Sequence, residues 1–356
     1  MPSIEKGGVE KNLFIVSNYL AKHRKNIKII TISKKFKKFF SSKINFITFN
    51  NNIFDYLSRR TKFFLALILL INEIIKNKNT IVFSFQANIY TIFLCKIFSI
   101  KCIIRSNSSP SGWSQNFLKI FLYKFFLKKA HRILVNSYEF KKELKSKFNV
   151  NSTCIYNPLN KKEIINKSKK KSKKIFKYNN KLKIINIGRC TDQKDQITLL
   201  KALKYLENKI DYEAKIIGEG NLRKYCEDFI KINKLGKKIS FKNFVNNPYP
   251  LLKQADIFVL SSKYEGLPNA LLEAITLKKF SISSSCPTGP KEILLFGKGG
   301  LLFDVGDYKQ LAQKILLYRD KKININKMID ISYKNLNKFD YKKNLKKYLK
   351  IIDDVK

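Results

Sequence analysis

Short apolar runs alternate with longer segments of helical periodicity along the first half of the chain. The runs lie at 26–32, 44–49, 80–85, 101–105 and 132–137. Helical patterns lie between them, for example from Ser58 to Lys76 and from Tyr138 to Phe148. Strands of about five residues separated by helices predict a parallel sheet with helices on both faces.

The same alternation restarts in the second half, after a Lys-rich segment of low apolar content. The later runs lie at 182–188, 212–218, 256–262, 280–284 and 300–303. We therefore predict an α/β fold of two doubly wound, Rossmann-like domains that face a cleft. Ligands of such sheets bind outside the carboxyl ends of the strands.

Changes in composition set the predicted domain limits. Residues 1–165 form the first domain, 166–180 a solvated Lys-rich linker and 181–330 the second domain. Residues 331–356 have a helical pattern, and we expect this helix to pack back on the first domain. One face of it would carry Leu345, Tyr348, Leu349 and Ile352.

The segment 261–274, SSKYEGLPNALLEA, joins a buried strand to a helix that Pro268 and Asn269 open. Backbone N–H groups and the positive end of a helix dipole bind anions at such a junction. Glu265 and Glu273 flank it, and a carboxylate can accept hydrogen bonds from two sugar hydroxyls. The segment therefore predicts a site for a phosphorylated sugar. The alternative is that Glu273 only complements the helix dipole and Glu265 is an ordinary loop charge.

Two cations follow the first strand of the second domain. Arg189 and Lys194 come after Gly188, between the strand and the next helix. Two cations at a strand end beside a helix N-terminus can hold a diphosphate without a metal. The alternative is that both are surface cations of a Lys-rich protein. This alternative fits Arg189 less well than Lys194, because only eight of the 72 cations are Arg.

The formal net charge is +46, which by itself would suggest a nucleic acid or an anionic membrane as partner. Lys accounts for most of the cations, whereas Arg is the residue suited to bidentate base and phosphate contacts. We interpret the charge as part compositional background and part membrane attraction. A nucleic-acid-binding protein remains the alternative, and it predicts salt-sensitive DNA binding.

Neither the cysteines nor the apolar runs indicate export or a membrane span. Six Cys lie mostly in or beside apolar runs without a C-x-x-C pair, which favours buried reduced thiols in the cytoplasm over disulfides or zinc. The N-terminus has no apolar signal core, and the longest apolar run, Phe63 to Ile71, is too short to span a bilayer. We expect a cytoplasmic protein.

Basic aromatic segments in the first domain suit an interface with anionic lipid. The segment 113–132, WSQNFLKIFLYKFFLKKAHR, places Phe among Lys, and 33–40, SKKFKKFF, is similar. The alternative is that the aromatic face of 113–132 belongs to the domain core. We predict peripheral attachment to the inner face of the cytoplasmic membrane.

Several segments together resemble glycosyltransferase family 4, the retaining group with the GT-B fold. They are INIGRCTDQKDQITLLKAL, AKIIGEGNLRKYCEDFI, ADIFVLSSKYEGLPNALLEA, SSSCPTGPKEIL and GGLLFDVGD in the second half. GGVEKNL, AHRILVNS and IYNPL in the first half are also similar to the family. The resemblance extends from about Gly7 to the end.

The resemblance implies roles for individual residues in a nucleotide-sugar site. Arg189 and Lys194 would neutralise the donor diphosphate, Glu273 would bind the ribose hydroxyls and Glu265 would face the transferred sugar. The distal phosphate would meet the backbone of Gly266, Leu267, Pro268, Asn269, Ala270 and Leu271, and the base would lie near Phe244 and Val245. Gly188 belongs to the same site, and Gly7 and Gly8 would let the backbone of the first domain approach the phosphates.

Metal-free binding of the diphosphate agrees with the absence of a D-x-D pair. We therefore expect no cofactor and no metal. The catalytic set implied by the resemblance is Glu265, Arg189 and Lys194. Many family members add a His on the first domain, but Arg105 is here followed by Ser106 and Asn107. Either Asn107 or Arg105 takes that position or the contact is absent, and of these we select Asn107.

The family also begins with an apolar strand at the centre of the first sheet, and this sequence has no such run before Gly7 and Gly8. The chain starts inside the loop that would follow it. A missing central strand leaves backbone groups of its neighbours unpaired. We therefore expect the true start to lie upstream of Met1.

The function that these observations predict is retaining transfer of a hexose or N-acetylhexosamine. The donor is a nucleotide sugar, with UDP favoured because CPTGPKEIL is similar to UDP-using branches. The acceptor is a lipid-linked, lipopolysaccharide or capsule oligosaccharide. A catalytically degenerate relative that only binds sugar nucleotides, and a nucleotide-sugar epimerase, are the other readings within this fold.

Overall fold

A computed structural model describes residues 1–4, 7–32, 34, 36–49, 52–113 and 116–355, without the side chains of residues 52, 55 and 59. The chain forms two compact units. Unit 1 consists of Met1–Pro158 together with Tyr341–Lys356, and unit 2 of Leu159–Asp340. The chain therefore leaves unit 1 at Pro158 and returns to it at Tyr341.

Unit 1 contains parallel strands and helices in alternation. In chain order they are α1 (Gly8–His23), β1 (Lys28–Ile30), β2 (Asn45–Ile47), α2 (Arg59–Lys76), β3 (Ile81–Ser84), α3 (Asn88–Ile97), β4 (Lys101–Arg105), α4 (Phe117–Leu127), β5 (Arg132–Val135), α5 (Tyr138–Phe148) and β6 (Thr153–Cys154). β3, β4, β5 and β6 form one sheet in that order, and β1 pairs with β2 separately.

The first residues of the chain lie beside β1. The Met1 amino group donates to the Ile30 carbonyl at 3.0 Å, and the Ile32 N–H donates to the Pro2 carbonyl at 3.1 Å. The Ser3 N–H donates to the side chain of Gln86, two residues after β3, at 3.4 Å. Residues 1–4 thus lie between the carboxyl ends of β1 and β3.

Unit 2 is built around one six-stranded parallel sheet. Its elements are α6 (Lys161–Ser168), β7 (Leu182–Ile187), α7 (Gln196–Tyr205), β8 (Tyr212–Ile217), α8 (Arg223–Ile232), β9 (Ile239–Lys242), α9 (Tyr249–Lys253), β10 (Ile257–Leu260), α10 (Asn269–Thr276), β11 (Phe280–Ser284), α11 (Pro290–Ile293), β12 (Leu301–Phe303), α12 (Tyr308–Arg319) and α13 (Ile325–Asn335). The strand order is β12-β11-β10-β7-β8-β9. Ile257 and Val259 of β10 are fully buried and belong to one core with Leu199 and Leu203 of α7.

Part of the Lys-rich segment is folded against unit 2 rather than extended as a linker. Asn160 accepts a hydrogen bond from the Glu163 N–H at 3.2 Å, and its amide donates to the Glu163 carboxylate at 3.1 Å. The Asn160 side chain thus caps the N-terminus of α6, and the side chain of Ile164 in this helix is buried. Further on, Phe176 is buried and the Lys177 N–H donates to Glu213 at 2.7 Å.

The last helix, α14 (Tyr341–Asp353), belongs to unit 1. Leu345 and Tyr348 are fully buried, and Leu349 and Ile352 pack against the same core. The Arg105 side chain of β4, itself fully buried, donates to the Tyr348 hydroxyl at 2.8 Å. The helical pattern at 331–356 is therefore two helices, since α13 ends at Asn335 and α14 begins at Tyr341.

Candidate functional site

The order of strands in unit 2 reverses between β7 and β10. From β7 the chain adds β8 and β9 on one side, and it then returns to place β10 on the other side of β7. Connections on the two sides diverge at such a switch point and leave a crevice at the carboxyl ends of the strands, where ligands of open α/β sheets bind. The loops after β7 and β10, together with the first turns of the helix Asn269–Thr276, carry most of the predicted site residues.

Hydrogen bonds join these loops directly. The Lys263 N–H donates to the Gln193 carbonyl at 2.8 Å, and the Gln193 side chain donates to the Tyr264 carbonyl at 3.0 Å. The Ser261 hydroxyl donates to the Lys194 carbonyl at 3.0 Å. The two loops therefore form one connected structure at the edge of the sheet.

Lys194 and Glu265 form an ion pair at this switch point. The Lys194 ammonium contacts the Glu265 carboxylate, whose side chain is 7% exposed, while that of Lys194 is 20% exposed. The Ser262 hydroxyl donates to the same carboxylate oxygen at 2.7 Å. The structure thus brings together one predicted diphosphate ligand and the residue predicted to face the sugar.

Arg189 is exposed, next to Gly188 at the end of β7. Its carbonyl accepts a hydrogen bond from the Gln196 side chain at 3.1 Å, which fixes the backbone there. Gly218, at the end of β8, packs tightly against this turn, because a Cβ at Gly218 would lie 1.9 Å from the Gly188 carbonyl oxygen. The guanidinium is therefore carried by a fixed backbone and is open to solvent.

Helix α10 begins where the β10 loop ends. Gly266, Leu267 and Pro268 are buried, and Asn269 starts the helix. The first turn of a helix leaves N–H groups without intrahelical acceptors and carries the positive end of the helix dipole. Ala270 in this turn is partly exposed, whereas Leu271 is fully buried, so the side chain of Leu271 anchors the turn in the core.

The loop after β11 supports that junction. The Thr288 hydroxyl donates to the Glu265 carbonyl at 2.7 Å and lies 3.3 Å from the Gly266 carbonyl. Gly289 has φ +91°, and a Cβ there would lie 2.5 Å from the Gly266 carbonyl oxygen and 2.9 Å from Pro268. Only glycine allows this approach, so the GPKEI segment shapes the start of α10.

Glu273 lies one turn into α10 and is buried. The Tyr249 hydroxyl donates to its carboxylate at 3.2 Å. Tyr249 follows the loop of Phe244 and Val245, and the Phe244 N–H donates to the Glu219 carboxylate at 3.2 Å. Phe244 is 39% exposed, which leaves part of its ring available for stacking.

The remaining predicted residues belong to unit 1. Gly7 caps α1, Gly8 is its first residue, and a Cβ at Gly7 would lie 2.6 Å from the Glu10 carboxylate. Asn107 uses its side chain internally: its amide donates to the Phe85 carbonyl at 3.0 Å, and its oxygen accepts from Arg105. The catalytic role of Asn107 stays a prediction.

Sequence reasoning missed the residues that hold the predicted ones in place. Ser262 and Thr288 position Glu265 and its loop, and Tyr249 positions Glu273. Ser262 and Thr288 are common polar residues in segments already quoted for the family resemblance, so the available signal was their place within a motif, whereas Tyr249 lies outside those segments. The partner that the side chain of each of these residues contacts depends on the order of the strands.

The described part of the chain contains neither a group of metal-binding side chains nor a membrane-spanning helix. Among residues 1–4, 7–32, 34, 36–49, 52–113 and 116–355, no group of three or more His, Cys, Asp or Glu side chains could hold a metal ion. Within the same ranges, no helix combines the length and the apolar character needed to cross a bilayer.

The chain is similar in sequence to known glycosyltransferases. The family model described as Glycosyl transferases group 1 matches residues 167–335. An uncharacterized glycosyltransferase of Methanocaldococcus jannaschii is 35% identical over 219 residues, which cover 57% of this chain and 53% of that protein. A Campylobacter jejuni enzyme named GalNAc-alpha-(1->4)-GalNAc-alpha-(1->3)-diNAcBac-PP-undecaprenol alpha-1,4-N-acetyl-D-galactosaminyltransferase is 30% identical, with 49% of this chain and 48% of the enzyme aligned. The chain thus spans about half the length of these relatives.

Solved structures match nearly the whole chain. A glycosyltransferase from Rickettsia africae has a TM-score of 0.78 at 20% identity, with 100% of this chain and 97% of that chain covered. The Anabaena protein HepE in complex with UDP has a TM-score of 0.76 at 14% identity, with 99% and 98% covered. The predicted α/β fold is confirmed: the chain has the GT-B fold of these proteins, built from two Rossmann-like units, and residues 167–335 carry the sequence pattern of glycosyl transferases group 1.

Proposed function

We propose that the protein is a retaining glycosyltransferase of family 4. It transfers a hexose or N-acetylhexosamine from a UDP-sugar to a lipid-linked, lipopolysaccharide or capsule oligosaccharide. The observation that carries the proposal is the Lys194–Glu265 ion pair at the switch point of the unit 2 sheet, beside the exposed Arg189 and the start of α10. This arrangement offers cations, a helix N-terminus and a buried carboxylate to one ligand.

The chemistry follows from the charge that develops on the leaving group. Cleavage of the glycosyl–phosphate bond leaves a nucleoside diphosphate, and Arg189, Lys194 and the dipole of α10 stabilise its charge. Glu273 accepts from the ribose hydroxyls, and Glu265 binds a hydroxyl of the transferred sugar. The acceptor attacks the front face, and the departing phosphate takes its proton, which retains the anomeric configuration. No metal is required in this scheme.

The relatives support the classes of donor and acceptor. The name of the Campylobacter enzyme specifies an acceptor on undecaprenyl diphosphate, and a Rhizobium meliloti relative, 28% identical over 137 residues, is named for lipopolysaccharide core biosynthesis. HepE was crystallised with UDP. An acceptor of this type is held in a membrane, and we therefore propose a cytoplasmic protein that is peripheral on the inner face of the cytoplasmic membrane.

Thermal unfolding with nucleotides tests donor binding, because a ligand that binds only the folded form raises the melting temperature. We expect UDP and a UDP-sugar to raise it more than GDP, with or without EDTA. Arg189→Gln should weaken UDP binding about tenfold or more, since it removes a charge-assisted contact. Arg319→Gln, which changes an exposed Arg of α12, is the matched control. Absence of any UDP effect would contradict the proposal.

A second measurement separates catalysis from binding alone. We expect the wild type to hydrolyse the bound UDP-sugar slowly, which is measured as the release of UDP. The rate of this hydrolysis should fall in Glu265→Gln. A protein that binds UDP but neither hydrolyses nor transfers the sugar of any UDP-hexose or UDP-N-acetylhexosamine would be the degenerate relative instead. The anomeric configuration of the product, read by NMR, tests retention.

A further inference from the structure

Helix α4 of unit 1 exposes most of its apolar side chains. Phe117 is 83% exposed, Phe121 56% and Phe125 51%, whereas Leu127 is the one residue of this helix that is buried. These three Phe recur every four residues and lie on one side of the helix. Single exposed hydrophobics are ordinary, but a contiguous set marks an interaction surface. The aromatic face of 113–132 is therefore mostly outside the core; residues 114 and 115 lie outside the described part.

Helix α3 extends the same surface. Tyr90, Phe93 and Ile97 are 57%, 48% and 58% exposed and recur at intervals of three and four residues. The Phe93 ring packs edge-on against Phe126 of α4 at 5.8 Å between centroids, and Phe126 contacts Phe125 at 5.2 Å. The exposed rows of the two helices therefore adjoin. We call the surface formed by Tyr90, Phe93, Ile97, Phe117, Phe121 and Phe125 the α3–α4 face.

The charge on these two helices is of one sign. Lys96 on α3 and Lys119, Lys124 and Lys128 on and beside α4 are exposed, and Lys129 lies 5.4 Å from the centre of the Phe125 ring. The sequence has no Asp or Glu between Glu73 and Glu139. Exposed aromatic rings are thus surrounded by cations without an acidic residue on either helix.

We propose that the α3–α4 face docks on a bilayer that contains anionic lipids. Phe and Tyr rings enter the boundary between headgroups and acyl chains, and each Lys near the anionic surface adds electrostatic attraction. A second copy of the chain fits less well, because two faces of the same positive charge repel each other and the cores of protein interfaces are depleted in Lys. The proposal deepens the peripheral attachment given under the proposed function, on which it rests, by naming the surface and the lipid, and binding to the bilayer needs neither donor nor acceptor.

Flotation of the full chain with vesicles tests this surface. We expect binding to vesicles of phosphatidylcholine with about 30% phosphatidylglycerol at low salt, little binding to phosphatidylcholine alone, and release as salt is raised. The variant F117Q/F121Q/F125Q should lower the partition coefficient about tenfold or more. The variant K119E/K124E/K128E should do the same. Because all six side chains are exposed, melting temperatures should match the wild type.

Unit 2 supplies matched controls. Tyr225 and Ile232 on α8 are 58% and 78% exposed, so Y225Q/I232Q removes exposed apolar area elsewhere. K224E/K231E/K234E makes the same change of charge on exposed Lys. Both controls should keep wild-type binding. Equal loss in the controls, or no binding by the wild type, would overturn the proposal, and so would a dimer that the triple Phe variant dissociates.

Fluorescence gives a direct readout of insertion. Trp113 is the single Trp of the chain, so F121W in a W113F background places one fluorophore on the α3–α4 face. Anionic vesicles should shift its emission to the blue, and brominated acyl chains should quench it. Y225W in the same background should show neither effect. A failure here leaves the thermal shift by UDP unaffected, so it is distinguishable from a failure of the proposed function.

Discussion

Lys194 and Glu265 are 71 residues apart in the sequence and form an ion pair where β7 and β10 lie side by side. The Glu265 carboxylate neutralises the Lys194 ammonium when no ligand is bound. The same ammonium would bind the diphosphate of a donor. We therefore expect the donor phosphates and Glu265 to share one cation.

The first prediction concerns Glu265→Gln. Removing the carboxylate leaves the Lys194 charge available, so we expect UDP to bind as tightly as in the wild type or more tightly, while turnover falls about a hundredfold or more. Calorimetric titration with UDP and a transfer assay measure the two effects. Lys194→Met should weaken UDP binding. It should also destabilise unit 2 by about 3 kcal/mol, because it leaves a buried carboxylate without its cation. Weaker UDP binding by Glu265→Gln would contradict the shared-cation interpretation.

The second prediction concerns the loop that supports α10. Gly289→Ala places a Cβ against the Gly266 carbonyl at a backbone conformation that side chains rarely adopt. We expect a loss of about 2 kcal/mol or more in the free energy of unfolding, together with weaker UDP binding. Gly236→Ala is the control, because its Cβ meets nothing within 4 Å, and it should change stability by less than about 0.5 kcal/mol. Equal effects from the two substitutions would show that the close approach is unimportant.

The third prediction is a dependence of stability on pH. Burial raises the pKa of Glu213, but the Lys215 side chain and the N–H groups of Lys177 and Tyr178 outweigh this and hold the pKa below its ordinary value of 4.5. A lowered carboxyl pKa stabilises the fold above pH 4.5, and this stabilisation is lost as pH falls through the lower value of the folded state. The Lys215 ammonium lies 2.6 Å from the Glu213 carboxylate, whose side chain is 3% exposed, while that of Lys215 is 13% exposed.

Glu213→Gln should therefore cost about 3 kcal/mol at pH 7, because the Lys215 charge is left unpaired. The difference from the wild type should shrink as the wild-type carboxyl is protonated. Urea unfolding of both proteins at pH 7 and below pH 4 measures this. A difference that stays constant over the whole pH range would rule out the titration of Glu213 as its cause.

The fourth prediction concerns the six cysteines, all of which are free thiols. Five are buried and Cys154 is partly exposed; burial raises the pKa of Cys190 to about 11 and that of Cys226 to about 12. Since the thiolate is the reactive form, we expect about one thiol to react rapidly with a disulfide reagent at pH 8 in the native protein and all six in urea. Rapid reaction of three or more native thiols would disprove the burial.

Much of this fold follows from apolar periodicity alone. The runs at 182–188 and 256–262 contain β7 and β10, and the predicted start of α10 at Asn269 is the observed one. Helix α6 is not visible in that way, because its segment is dominated by Lys. Its signal is the cap formed by Asn160 and Glu163, a local pattern that a search for apolar faces passes over.

The site shows a different limit. Sequence motifs predict Arg189, Lys194 and Glu265 as site residues, but the contact between Lys194 and Glu265 depends on which side of β7 receives β10. The supporting hydroxyl of Thr288 lies 23 residues from its acceptor. Periodicity predicts that strands exist, whereas their lateral order is decided by how the helices cover the sheet, and that information is spread over the whole unit.

The Arg105–Tyr348 hydrogen bond makes the last helix a component of the first sheet's core. During translation, α14 emerges from the ribosome only after every residue of unit 2 has been made. Unit 1 is synthesised first, but part of its core stays uncovered until α14 has been made. Unit 2 can complete its fold before then. The order of completion is then the reverse of the order of synthesis.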